Sequence, residues 1–167
     1  MERMSPSLFD YALFGVALDM RALVQRVKRA AVVIEGDERR EIGPGVLVFL
    51  GVREGDDPAQ CQKLAAKCAG LRIFDDGDGK LNLSAVDLGY AALVVSQFTL
   101  YGDARKGKRP SFTAAAKPPL SVDCYEEFVR CMRQQGLKDV QTGEFGAEMQ
   151  VELVNDGPVT IWLDTDD

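Results

Sequence analysis

The chain has 167 residues, 46% of them hydrophobic and 28% charged, which is enough to bury the core of one globular domain. Its net charge of -6 excludes indiscriminate binding of nucleic acid, which needs a broadly basic surface, although a local basic loop can still meet phosphates. There is no histidine, so the usual general base is missing, and no apolar run approaches the roughly 20 residues that span a bilayer.

Leu8 to Leu18 is mildly apolar but carries Asp10, and Glu2 beside Arg3 stands where a signal peptide has a basic start. Met20 directly precedes a strand-like run. Residues 1–19 are therefore expected to be an extension outside the fold, and 20–167 a single domain. Ala22–Val27 and Ala31–Glu35 read as strands, with Gly36-Asp37 turning into a third at Arg39–Ile42. After Gly43-Pro44-Gly45, the continuous apolar run Val46–Leu50 predicts a central strand covered on both faces.

Asp57-Pro58 predicts a capped helix start with proline at its first position, and Cys61, Leu64, Ala65 and Cys68 form the apolar stripe that follows, up to Gly70. Leu71–Phe74 predicts a short strand leading to the acidic stretch Asp75–Lys80. That stretch fails as a calcium loop: counted from Asp76, the turn-glycine position holds Leu81 and the glutamate position Asp87, so a solvated hairpin turn is expected.

Ala91–Val95 reads as a second buried strand ending in Ser96-Gln97-Phe98-Thr99-Leu100, followed by a polar loop from Tyr101 to Ser111. Ser121 is placed to cap a second helix with Cys124, Phe128, Cys131 and Met132 on its inner face, ending at Gly136. Met149, Val151 and Leu153, then Val159, Ile161 and Leu163, alternate with polar neighbours around a turn at 155–158, which predicts a two-stranded ribbon. The whole is expected to be an α/β (α+β) domain: a mostly antiparallel or mixed sheet curled into a barrel, with two main helices on one side.

The four cysteines form two pairs, each seven residues apart on one predicted helix. Two turns separate the members by about 10 Å, too far for a disulfide within a pair. With no C-x-x-C and no histidine the pattern argues against zinc and for small buried thiols in a reducing cytoplasm.

Ser96, Gln97 and Thr99 are polar residues at the end of a greasy strand; they either cap it or serve a site, with Ser96 and Phe98 on one side by alternation and Gln97 and Thr99 on the other. No histidine triad, S-x-x-K or G-x-S-x-G pattern is present to activate a nucleophile. Asn155-Asp156-Gly157-Pro158 reads as a hairpin turn, or as a corner presenting bare carbonyl oxygens across a peptide bond that proline allows to be cis. Arg105, Lys106, Lys108 and Arg109 put four positive charges in five residues beside Tyr101 and Phe112, either a solvated loop or a phosphate contact.

From Met20 to about Asp164 the chain resembles the D-aminoacyl-tRNA deacylases. Met20–Val27 resembles that family's opening strand, Ser96–Leu100 its S-Q-x-T-L motif and Asn155–Thr160 its N-x-G-P-x-T motif. Gly143–Ala147 with Met149, and Arg109–Phe112, are similar to further family segments. The resemblance implies a barrel-like fold, no metal or organic cofactor, and a homodimer in which the Gly157-Pro158 corner of one subunit, with its bond cis, enters the pocket of the other. There it leaves no room for an L side chain while a D residue or glycine fits, so that glycine mischarged on an alanine tRNA is a further substrate. It assigns Arg26, Asn155 and Thr160 to supporting the corner. It gives Ser96, Gln97, Phe98 and Thr99 to the ester and Phe145, Ala147 and Met149 to the pocket wall; on that reading the phosphates that the basic loop of Arg105, Lys106, Lys108 and Arg109 can meet are those of the tRNA.

The aminoacyl ester is already activated, so a positioned water and an oxyanion held by backbone N–H groups near Phe98 and Thr99 are a sufficient mechanism on paper. Two other readings compete: a non-catalytic RNA-binding module, and the sibling deacylase that removes L-alanine from a threonine tRNA. The sibling resembles P-Q-A-T-L, so Ser96 favours the D-specific branch. D-aminoacyl-tRNA and a second copy of the chain are the expected partners, with no DNA and no membrane, and the expected location is the cytoplasm.

Overall fold

In the computed structural model, which describes residues 19–165, one strand organises the sheet. This is β1 (Arg21–Ile34), and on one side its second half pairs antiparallel with β2 (Glu38–Ile42) while its first half pairs antiparallel with β3 (Gly45–Gly51). On its other side β1 pairs along nearly its whole length with the final strand, β8 (Met149–Asp164), from Arg21 opposite Asp164 to Ile34 opposite Met149. The sheet continues from β3 through two parallel neighbours, β6 (Ala91–Ser96) and β7 (Val140–Thr142). A small hairpin of β4 (Phe74–Asp75) and β5 (Leu81–Leu83) stands apart.

Two helices cover one face. A 3-10 turn at Pro58–Gln60 leads into α1 (Cys61–Gly70), and Asp57 caps it: its carboxylate accepts from the Ala59 amide at 2.8 Å while Gln60 Oε1 accepts from the Asp57 amide at 2.7 Å. The second helix, α2 (Leu120–Arg133), presents Cys124, Phe128, Cys131 and Met132 inward. The central strands β3 and β6 are buried on both sides. Val46, Val48, Leu50 and Val94 pack with the helices, while Leu47, Leu93, Val95, Val27 and Val32 pack inside the curl. Full burial of such side chains contributes roughly 1.5–3 kcal/mol each. All four cysteines are free and buried.

The curled sheet and two helices match the expected fold class, but several elements differ. The two strands expected at 22–27 and 31–35 are one: exposed Lys28 and Arg29 sit where the register with β8 shifts, so the polar break is an irregularity in β1 and not its end. The ribbon expected at 149–163 is likewise one strand. Its halves do not pair with each other; both pair with β1, and residues 156–159 bulge out where only Arg26 stands opposite. Ser121 does not cap α2: the helix begins at Leu120, two residues earlier than that cap would place it, with Pro119 at the cap position and no side-chain cap. The short strand expected at Leu71–Phe74 is Phe74–Asp75, and its hairpin turn is closed by Asp76, whose carboxylate accepts from the amides of Asp78 (2.8 Å) and Lys80 (3.1 Å).

The expected extension lies, for residues 1–18, outside the described residues. Asp19, assigned to that extension by sequence, is 3% exposed, and its amide donates to Asp56 Oδ1 at 2.8 Å. No helix of the described residues is long and apolar enough to cross a membrane.

Candidate active site

Strand β6 delivers Ser96 beside Leu50 of β3, and the Gln97 amide donates to the Leu50 carbonyl at 2.7 Å. There the strand stops. Phe98–Tyr101 form a 3-10 turn, so the alternation expected across residues 96–99 ends at Ser96. The turn's bonds run from the Leu100 amide to the Gln97 carbonyl (3.3 Å) and from the Gly102 amide to the Thr99 carbonyl (3.0 Å). Geometry gives the opening amides of such a turn, here Phe98 and Thr99, no partner within it. Gln97 Nε2 donates to Thr99 Oγ1, fixing the two side chains together.

The turn is anchored from below. Tyr101 is buried, and its hydroxyl donates to the carbonyls of Asp19 and of Gly51 (3.1 Å); a Cβ at Gly51 would stand 2.8 Å from the Tyr101 ring. Arg21 lies over that ring at 4.6 Å and donates to the Leu100 carbonyl at 3.0 Å, while Asp19 holds it at 3.0 Å. Burial pushes the Asp56 carboxyl up to about 6, although the amides of Arg53 (2.7 Å) and Asp19 (2.8 Å) pull the other way. Asp19 rises to about 6 as well, through burial first and then its hydrogen bond with Asp164.

Beside the turn opens a cleft of about 490 Å³. Ser96, Gln97 and Phe98 line it together with Phe145, Ala147 and Met149, so the residues expected at the ester and at the pocket wall meet in one place. Thr99 is exposed next to them. The wall is fixed by close packing: a Cβ at Gly143 would stand 2.8 Å from Met149 Sδ, and Phe145 rests against Tyr125, whose hydroxyl donates to the Val94 carbonyl at 2.9 Å. Arg40 ties β2 to this segment by donating to the Thr142 carbonyl at 2.9 Å.

At the rim, the 55% exposed Phe98 meets Phe112 edge-on, with centroids 5.2 Å apart. Phe112 roots the basic loop, which Asp103 and Ser111 close by exchanging backbone bonds. One of the loop's four charges is already spoken for. Arg105 grips Asp103 through two bonds (2.9 and 2.7 Å) and holds its carboxyl down at about 2, while Lys106, Lys108 and Arg109 are exposed.

The structure does not bring Gly157 and Pro158 to this cleft. They form an exposed corner in the β8 bulge, with the Gly157–Pro158 bond cis and Gly157 at φ +139°. Two side chains, Arg26 and Asn155, hold the corner. Arg26 Nε donates to the Asp156 carbonyl at 2.7 Å, and its Nη1 to the Ile73 carbonyl at 2.7 Å. Asn155 Oδ1 accepts from the Val159 amide at 2.8 Å, and Asn155 Nδ2 donates to Thr160 Oγ1 at 3.0 Å.

Sequence reasoning missed Val52, Ala116, Lys117, Pro118, Ser121 and Val151, which also line the cleft. They arrive by long-range pairing, as in the bond from the Ala116 amide to the Val52 carbonyl at 2.8 Å, and no local pattern marks them. Among the described residues no three potential metal-ligating side chains cluster.

The chain is similar to known proteins over most of its length. Residues 23–164 match the family model described as D-Tyr-tRNA(Tyr) deacylase. A D-aminoacyl-tRNA deacylase of Thermotoga petrophila is 57% identical over 146 residues, covering 87% of this chain and 97% of that protein. A solved chain described as c-Myc DNA unwinding element binding protein is 39% identical and superposes with a TM-score of 0.79, covering 86% of this chain and 97% of the other. A second solved structure, of a probable eukaryotic D-amino acid tRNA deacylase, is 16% identical with a TM-score of 0.78, covers 88% of this chain and 100% of the other, and speaks for the fold alone.

Proposed function

The chain belongs to the D-aminoacyl-tRNA deacylase family and hydrolyses the ester joining a D-amino acid to tRNA; on that premise we propose that it selects handedness across a homodimer. The corner of one subunit, Gly157-Pro158, enters the other subunit's cleft and sets main-chain oxygens where an L side chain would have to go. D residues fit, and so does glycine mischarged on an alanine tRNA. Specificity then comes from rejection more than from added affinity.

One observation carries the reading: the cleft holding Ser96, Gln97 and Phe98 lacks the corner of its own chain, while that corner stands exposed and firmly held by Arg26 and Asn155. A selector so rigid and so remote from its own cleft suits a neighbour's. The long β8 pairs with β1 on one side, and a second copy is a natural cover for such an edge.

Chemistry follows from positioning. Water attacks the ester carbonyl carbon, and the N–H groups of Phe98 and Thr99 receive the developing oxyanion. As the new C–O bond forms, the bond to the 3'-oxygen of the terminal adenosine breaks. The 2'-hydroxyl passes the proton from water to that leaving oxygen, so histidine is not needed. Gln97 and Thr99 orient water and ester, and Thr99 forms no covalent intermediate. Lys106, Lys108 and Arg109, with Arg105 at the root, meet tRNA phosphates outside the rim. Residues 20–167, with Asp19 packed into them, act as the deacylase domain, in a reducing cytoplasm that suits four buried free thiols. Incubation with D-tyrosyl-tRNA tests the catalytic half directly. Release of D-tyrosine is expected; binding with the ester left intact would reduce the protein to an RNA-binding module.

A further inference from the structure

Ser121, which the sequence would make a helix cap, lies instead one residue inside α2 and on the wall of the cleft. It is 5% exposed, its amide donates to the Lys117 carbonyl at 3.2 Å, and its hydroxyl has no partner among the described residues. Buried hydroxyl groups in folded proteins are nearly always paired, so an orphan on a cleft wall marks a place for a ligand atom. The Oγ is closed off from solvent in its present rotamer, and serine turns between staggered wells about Cα–Cβ without backbone movement, so a ligand oxygen reaching the wall meets it only after that turn.

Two further features fix the sign of that ligand. The 14-residue α2 begins here with Pro119 at the cap and no side-chain cap; the Lys117 carbonyl takes the Ser121 amide, and the positive end of the dipole otherwise faces no capping side chain. Lys117, exposed and lining the same cleft, adds a full positive charge. Asp123, the acidic residue of this first turn, is exposed and does not line the cleft.

We propose that Ser121, Lys117 and the first turn of α2 form a subsite for an anionic oxygen of the substrate. The proposal rests on the deacylase reading above and extends it, because it says which part of the substrate lies at this end of the cleft. Two groups carry such an oxygen: the phosphodiester of the tRNA's terminal adenosine, and the side-chain carboxylate of a D-aspartyl or D-glutamyl residue.

The test uses Lys117→Met and Ser121→Ala with four substrates, D-tyrosyl and D-aspartyl esters, each on tRNA and on bare adenosine. If the subsite holds the phosphodiester, each variant raises KM for both tRNA esters about five- to tenfold more than for the adenosine esters, the range that loss of one hydrogen bond or one charge contact supplies. If it holds the carboxylate, KM rises for the D-aspartyl esters on tRNA and adenosine alike, and less for the D-tyrosyl ones. An equal change on all four esters, or none, in variants that melt like the parent overturns the proposal. So does a lower melting temperature of ligand-free Ser121→Ala, which would make the hydroxyl a structural group. Parent protein that cleaves no D-ester at all would instead sink the deacylase reading, which the same four assays report separately.

Discussion

Arg26 Nε donates to the main-chain carbonyl of Asp156 at 2.7 Å, so a largely buried cation on β1 grips the backbone of the bulge that β8 makes directly opposite it. The same guanidinium reaches the Ile73 carbonyl at 2.7 Å, which ties the bulge to the body of the domain. The corner is therefore part of the sheet and not a loose turn.

Arg26→Leu leaves both carbonyls without their charged donor, a loss of about 3 kcal/mol of stability. Urea unfolding should show it. Arg26→Lys should be intermediate, since an ammonium lacks the planar fork that spans two acceptors. A leucine variant as stable as the parent would mean that the corner holds itself.

Gly157 sits at φ +139°, and a Cβ there would stand 2.9 Å from both Arg26 Nη2 and Val159 Cγ2. Gly157→Ala should cost roughly 1–3 kcal/mol in backbone strain and displace the Arg26 grip. Its cleavage of D-tyrosyl-tRNA should fall steeply while the protein stays folded below its melting temperature. Unaltered turnover and unaltered discrimination between D and L esters would separate the corner from selection.

Thr99 is exposed, with its hydroxyl engaged by Gln97. As a positioning group its removal should slow kcat by less than about tenfold, whereas loss of a serine-hydrolase nucleophile costs on the order of a millionfold. Single-turnover assays of Thr99→Ala, with a search for a trapped acyl-enzyme in the parent, decide between them. Collapse of activity together with a trapped acyl group would make Thr99 a nucleophile.

Asp56 lends the fold a pH dependence of unusual sign. Burial holds its carboxyl at about 6, above an unfolded value near 4. Between those values the native protein binds more protons than the unfolded chain, so stability falls as pH rises through that window and the penalty is complete above it. Asp19, raised in the same way, acts in the same direction. Urea midpoints at pH 4.5 and pH 7 should favour the lower pH, and Asp56→Asn should shrink the difference. A difference that the substitution leaves untouched contradicts the assignment.

What the sequence revealed depended on how local the cause was. The buried runs Val46–Leu50 and Ala91–Val95 and the Asp57-Pro58 helix start were legible because hydrophobicity and capping act within a few residues. Residues 155–158 were not, since a hairpin turn and a bulge use the same turn-forming residues and only pairing with distant β1 decides between them. Lys28 and Arg29 misled in the same way, as exposed charges within a continuous strand. Strand β7, three residues long and parallel to β6, carries no local signal at all. At the site, motif likeness brought Ser96, Gln97 and Phe98 together with Phe145, Ala147 and Met149, while Lys117 and Ser121 entered only through tertiary packing.

The central claim is that handedness is read by main-chain atoms of a neighbouring subunit. The direct measurement is kcat/KM of the purified protein on D-tyrosyl-tRNA and on L-tyrosyl-tRNA under identical conditions. The account predicts rapid release of D-tyrosine with the L ester left intact over the same interval; equal rates on the two would contradict it.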